Sequence, residues 1–159
     1  MNQFQWAAEL LAKLVLSGDE AVLDIGCGEG KITAEIAKSV PKGRVVGIDN
    51  SKQLIKLAKN YFPKEQQPNL CLMWMDAQKL TFHEEFDVVF SNAAFHWVLD
   101  QKSVLIGVKN SLKSGGRVLF QMAGKGNAKA IFDILMSYWL CLNGNRILQI
   151  FHSLRFFVT

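Results

Sequence analysis

Ala21-Val22-Leu23-Asp24-Ile25-Gly26-Cys27-Gly28-Glu29-Gly30 is the stretch on which the fold turns. A short apolar run, broken once by an acid and closed by clustered glycines, reads as a buried strand of a parallel sheet entering a tight turn. Working outward, a helix is predicted over Lys31–Val40, stopped by Pro41-Lys42-Gly43. Arg44–Ile48 reads as a second strand, and Ser51–Asn60 as a second helix with Leu54, Ile55 and Ala58 on one face. Leu70–Met75 and Phe86–Ser91 follow as strands, then a helix over Ser103–Leu112 closed by Lys113-Ser114-Gly115-Gly116. Arg117–Met122 is a fifth strand, and helices are expected over Phe4–Leu16 and Ala128–Leu140. Strands alternating with helices predict a Rossmann-like, doubly wound α/β domain with a mostly parallel sheet of about five strands.

Composition agrees with one such domain. The chain has 159 residues, half of them apolar and a fifth charged, which excludes disorder and collagen-like repeats. The net charge is +4, and two cations, Arg146 and Arg155, lie in a tail from Cys141 to Thr159 that has no acid. The body is therefore only mildly basic and lacks the dense Lys/Arg stripe of a nucleic-acid binder. Cys27, Cys71 and Cys141 are odd in number, far apart and without CxxC spacing, so neither a disulfide framework nor a zinc site is expected. A reducing cytoplasm is the expected location. No segment has the apolar length of a membrane helix, and the start lacks the pattern of a secretory signal.

The glycine loop is either a plain strand-to-helix turn or a cradle that brings helix N–H groups to a ligand. It is not a nicotinamide fingerprint: Lys31 stands where the third glycine belongs, and Asp24 just ahead of the loop would repel a pyrophosphate. Asp49, closing the second strand, is either a cap for the next helix or an acceptor for the two hydroxyls of a ribose. Beside the glycine loop, the ribose reading is the stronger.

These residues resemble the class I S-adenosylmethionine-dependent methyltransferases. Val22–Gly30 and Asp49 match in place, as do Trp74-Met75-Asp76-Ala77, Phe86–Trp97 and Leu112–Val118, in the same order. The run Ser91-Asn92-Ala93-Ala94-Phe95-His96-Trp97-Val98 resembles the small-molecule branch that includes trans-aconitate 2-methyltransferase. The resemblance implies S-adenosyl-L-methionine as cofactor and methyl transfer to an oxygen, a carboxylate by preference, of a small-molecule acceptor.

It also implies residue roles. Gly26, Cys27 and Gly28 would lie under the methionine part, with Asp24 facing its ammonium group. Asp49 would accept from the ribose, with Asn50 beside it, and Asp76 from the adenine amine, with the Ala77 N–H near the same ring. Capping of a local turn is the competing role for Asp76. Asn92 would bridge to the amino-acid portion, and Phe95 or Trp97 would set an aromatic face near the sulfonium or the acceptor. Trp97 is either this or core. His96 is a general base, an orienting donor or a structural side chain; a carboxylate acceptor, already ionised at neutral pH, needs no base. Asp87 is expected at the exposed start of its strand, outside the site, and Met73-Trp74-Met75 as core. The loops of amino-directed nucleic-acid, pyrimidine-C5 and arginine methyltransferases are not matched.

Relatives of this kind usually have two further antiparallel strands. Here residues 1–140 are expected to form the cofactor-binding domain and 141–159 an atypical tail of helical period, read as the end of a truncated product. Strand five would then be an edge, and because a helical tail does not suit strand addition, self-association there is expected.

Overall fold

The structure is a computed structural model, and it describes residues 12–122 and 157–158. It contains β1 (Ala21–Ile25), α1 (Lys31–Ser39), β2 (Arg44–Asp49), α2 (Lys52–Tyr61), β3 (Leu70–Trp74), β4 (Phe86–Asn92), α3 (Gln101–Ser111), β5 (Leu112–Met122) and β6 (Phe157–Val158). Two single 3-10 turns, Ala77–Lys79 and Phe95–Trp97, follow β3 and β4. The sheet runs β3-β2-β1-β4-β5-β6, and every pairing is parallel.

Alternation along buried strands sorts side chains to two faces. Val22, Val45, Leu70, Leu72, Val88 and Phe90 pack with Ala34, Ile36 and Ala37 of α1 and with Ile55 and Ala58 of α2. Leu23, Ile25, Val46, Ile48, Val89 and Phe120 pack on the other face with Val104 and Val108 of α3. All of β1 is buried, which places Asp24 in the first of these faces with 2% of its surface exposed. Strand order reverses at β1, because the chain steps outward to β2 and β3 and then returns to the other side of β1 as β4. Ligands of open α/β sheets bind in the crevice at that reversal, off the carboxyl ends of the strands.

Three expectations need correction. The expected helix over Ser103–Leu112 ends at Ser111, and Leu112 already pairs with Phe86 of β4. The ladder resumes at Val88↔Arg117, so 113–116 bulge between two pairings of one strand, with Gly115 at φ +81° allowing the bend. The tail, expected to be helical and unsuited to a strand, contributes β6, pairing Gln121↔Phe157 and Met122↔Val158. Two residues are enough to pair when the sheet edge supplies the ladder, whatever the local side-chain period. The helix predicted over Ala128–Leu140, most of the Phe4–Leu16 helix and the rest of the tail lie outside the described residues.

Candidate functional site

The carboxyl ends of β1, β2 and β4 meet at the glycine loop. Gly26 and Cys27 both donate their N–H groups to the Ile48 carbonyl, at 2.8 and 2.9 Å, which folds the loop back onto the end of β2. Gly26 and Gly28 take φ values of +79° and +54°, a region closed to most side chains. A Cβ on Gly26 would overlap the Ala94 methyl, so the loop after β4 lies against it; a Cβ on Gly28 would meet nothing within 4 Å. The backbone over Gly28 is thus bare and open. Gly47 serves from below: a Cβ there would stand 2.8 Å from Thr33 Cγ2 and 3.0 Å from Cys27 Cβ, so only glycine lets α1 and the loop close down on β2.

Asp49 is half-buried at the end of β2. Its Oδ2 accepts from the Gly28 N–H at 3.0 Å and its Oδ1 from the Ser51 N–H at 2.8 Å, fixing the carboxylate between the loop and α2. The cap of α2 is Ser51 itself, whose side chain accepts from the Leu54 N–H. Each Asp49 oxygen keeps a lone pair for a further donor. Asp24 lies beneath the loop, with its Oδ2 accepting from Thr33 Oγ1 at 2.6 Å. Burial pushes the Asp24 carboxyl up to about 7; the Thr33 hydroxyl draws it down and the nearby Asp49 carboxylate adds to the rise. Burial first, then Asp24 and Asp49, also holds the Cys27 thiol protonated, well above the usual thiol range.

The third acid is committed locally. Asp76 Oδ1 accepts from the Gln78 N–H at 2.9 Å and from Gln78 Nε2 at 3.3 Å, capping the turn into which Ala77 leads. Capping and ligand binding are compatible, since Oδ2 has no hydrogen-bond partner among the described residues. The expected core role of Trp74 is wrong: the ring is 56% exposed, with Nε1 donating to the Asn50 carbonyl at 2.9 Å and Lys52 Nζ 4.1 Å from its centroid. Met73 and Met75, in contrast, pack against the second core face as expected. Trp74 therefore braces the segment after Asp49 from outside.

At the β4 end, Ser91 Oγ donates to the Ile25 carbonyl at 2.8 Å, and the half-buried Asn92 closes the strand. Ala93 takes φ +54°, and its N–H donates to the Gln121 carbonyl. Phe95 is fully buried and stacks on Phe120 at 5.0 Å, so it is core and offers no aromatic face to a ligand. Trp97 is 79% exposed, which removes its core alternative. His96 lies in the turn between them, and its side chain is outside the described residues. Asp87 sits at the opposite end of the sheet, accepting from the Ala21 N–H and Lys113 Nζ, away from the site as expected.

Thr33 and Ser51 belong to this arrangement without having been named as site residues in the sequence, and Trp74 belongs to it in place of its expected core role. Ser51 was legible as a cap ahead of an apolar period. Thr33 was not, because nothing local distinguishes a helix threonine that meets an acid nine positions earlier.

A family comparison matches residues 16–150 to the family described as "Methyltransferase domain". Trans-aconitate 2-methyltransferase of Azoarcus sp. is 31% identical over 118 residues, 73% of this chain and 44% of that protein. A malonyl-[acyl-carrier protein] O-methyltransferase of Priestia megaterium is 32% identical, over 67% of this chain and 38% of that protein. Among solved structures, an S-adenosylmethionine-dependent methyltransferase from Mesorhizobium loti is 27% identical with a TM-score of 0.61, covering 71% of this chain and 51% of that one. The chain spans about half the length of the curated relatives it matches. The residues present fit the cofactor these matches imply. A bare glycine backbone opens beside two carboxyls that lack a Lys or Arg partner among the described residues, as a ligand carrying a cation and a ribose requires. The chain belongs to the class I S-adenosylmethionine-dependent methyltransferases.

Proposed function

We propose that this chain binds S-adenosylmethionine across the carboxyl ends of β1, β2 and β4 and transfers its methyl group to an oxygen of a small acid. The observation that carries the reading is Asp49, clamped by the Gly28 and Ser51 amides with no Lys or Arg partner among the described residues. In this reading Asp49 accepts from the ribose hydroxyls, with Asn50 next to it. Gly26, Cys27 and Gly28 form the floor under the methionine part, and Asp24 supplies negative charge for its ammonium group. Asp76 and the Ala77 N–H hold the adenine edge, and Asn92 reaches the amino-acid portion. When bound, S-adenosylmethionine supplies an electrophilic methyl group on a sulfonium. The chain's task is then to align the acceptor and exclude water. Trp97 offers an exposed aromatic face to the acceptor. His96, within the same turn, orients it or removes a proton.

A carboxylate acceptor is supported by the relatives, whose names specify trans-aconitate and a malonyl group. The same proposal takes residues 1–140 as the cofactor domain, without nucleic-acid partners. No helix among the described residues is long and apolar enough to cross a membrane. Free Cys27 and Cys71 support a reducing, cytoplasmic setting. Self-association through β5 is proposed upstream of Gln121, where β6 gives no ladder partner; light scattering showing a monomer at every concentration would end that part.

The test is calorimetric titration with S-adenosylhomocysteine and, separately, with NAD, followed by turnover on a panel of small carboxylates. Binding of the first ligand alone, with methyl ester formed from at least one acid, is expected. Binding of NAD in its place overturns the cofactor assignment. Cofactor binding with methylation of amines but no carboxylate overturns the acceptor class.

A further inference from the structure

Thr33 and Asp24 form a buried couple, of which the proposed chemistry uses only the acid. Thr33 is fully buried in the first turn of α1, and its Oγ1 lies 2.6 Å from Asp24 Oδ2. The contact exists because Gly47 lets the threonine methyl approach β2 to a distance that a Cβ would forbid. Asp24 is 2% exposed, and the side chain that donates to it is Thr33, at Oδ2. Its ladder neighbours are Gly47 on one side and Phe90 on the other, neither of which carries a polar side chain. The titratable groups that reach it are the Asp49 carboxylate, which opposes its ionisation, and the Cys27 thiol, which stays protonated. Among the described residues no Lys or Arg pairs with it, and the ion pairs all lie elsewhere.

We propose that Thr33 is a positioning residue for cofactor capture, holding Oδ2 of Asp24 so that arrival of a cationic ligand at the glycine loop drives one proton from this carboxyl into solvent. The inference rests on the cofactor reading above and deepens it. A lone carboxyl with its charge opposed by burial and by a second carboxylate stays protonated until an external cation compensates it. The Thr33 hydroxyl, a donor to Oδ2, favours the ionised form and reduces how much the ligand must contribute. The proton balance is simple: the O–H bond of Asp24 breaks, the electron pair remains on the carboxylate, and the buffer takes the proton. Binding that releases one proton tightens as pH rises, by roughly ten-fold per unit while the free protein remains protonated. Burial holds the free carboxyl at about 7, which puts that range at pH 5–7.

The experiment is titration of the full chain with S-adenosylhomocysteine between pH 5 and 8, in buffers of different ionisation enthalpy, on wild type, Asp24→Asn, Thr33→Val and Thr33→Ser. Wild type is expected to release close to one proton at pH 6 and to gain affinity about ten-fold from pH 5.5 to 6.5. In Asp24→Asn both effects disappear, which also subtracts any titration of the ligand itself. In Thr33→Val the rise in affinity moves to higher pH, and Thr33→Ser restores the wild-type curve; a merely structural threonine would lower affinity equally at every pH. Circular dichroism at each pH separates unfolding from lost binding. Affinity that is flat with pH in wild type, with no proton released, overturns the inference and leaves the cofactor reading intact. Failure of wild type to bind at any pH while folded overturns that reading itself.

Discussion

At the amino ends of the strands Glu20 pairs with Arg117, Asp87 with Lys113 and Glu85 with Arg44, whereas at the carboxyl ends Asp24, Asp49 and Asp76 have no Lys or Arg partner among the described residues. The titration behaviour divides the same way. Burial works against the Glu20 carboxylate, yet the Ser17 and Gly18 amides and Arg117 outweigh it and hold Glu20 below the usual carboxylate range. Asp87 is likewise held low, with Lys113 and the Ala21 amide overcoming burial. Asp24 moves the other way, to about 7. A desolvated carboxylate whose role is structural is compensated by the protein's own cations, because an unpaired buried charge is costly. Carboxyls left without such compensation, around a bare glycine backbone, are poised for a ligand.

The largest effect should come from removing the uncompensated acid. The Asp24 carboxyl has an ordinary value of 3.8 and a folded value of about 7. Between those values the folded state holds a proton that the unfolded state has lost, so stability falls as pH rises through this window. Below pH 4 both states are protonated and the cost vanishes. Asp24→Asn keeps an oxygen to accept from Thr33 and cannot ionise. It should be more stable than wild type at pH 8, by at most on the order of 4 kcal/mol, and equal to it near pH 3.5. Urea denaturation at both pH values checks this, and a variant less stable at pH 8 breaks the contrast between the two ends.

Next is Asp49→Ala. Hydrogen bonds to a charged group are worth about 1.5–3 kcal/mol, so losing the proposed ribose acceptor should weaken S-adenosylhomocysteine binding by roughly ten-fold to a hundred-fold. The fold should persist, because Gly26 and Cys27 still anchor the loop through the Ile48 carbonyl. Unchanged affinity in calorimetry would remove Asp49 from the site.

Arg117 tests the other end. One guanidinium nitrogen donates to the Leu14 and Val15 carbonyls at 2.9 and 3.1 Å and lies 3.4 Å from Glu20 Oε1. Arg117→Met should destabilise the protein by about 1–2 kcal/mol, since it strips the cation from a carboxylate that stays buried. It should leave cofactor affinity unchanged, because β5 enters the sheet at the end opposite the glycine loop. A parallel loss of cofactor affinity would show that the two ends are coupled.

How legible this was depended on range along the chain. β1, its glycine loop and Asp49 are local signals: apolar run, glycine spacing, acid at a strand end. The structure brings them together as the sequence implied. What stayed hidden is long-range. Trp74 sits among methionines in a run that reads as core, but edge-strand β3 has a neighbour on one side only, so the ring turns outward to the Asn50 carbonyl. Phe95 reads as an aromatic next to the site until its stacking on Phe120, a residue of another strand, is seen. The Thr33–Asp24 contact depends on the absence of a side chain at Gly47, which no local pattern announces. The β6 pairing depends on what the β5 edge offers, while the local period of the tail points to helix.

The smallest effect separates a pair that is merely present from one that matters. Lys113 Nζ lies 2.8 Å from Asp87 Oδ2, but its side chain is 44% exposed, so solvent screens the attraction. Lys113→Met should cost no more than about 1 kcal/mol near neutrality. The sign with pH follows from the direction of the Asp87 shift. Its folded value lies below 3.8, so the stability it contributes is present above that value and is lost as the folded carboxylate takes up its proton in acid. The difference between wild type and Lys113→Met should therefore shrink as pH falls below 3.8, and should also shrink in 1 M salt at pH 7. The Ala21 amide still donates to Asp87 in the variant, so part of the acid dependence should survive. Thermal denaturation across pH 2.5–7 reads both. A cost of several kcal/mol, insensitive to salt, would mean that the 113–116 bulge is held by this one contact and that the amino end of the sheet is less redundantly paired than its charges suggest.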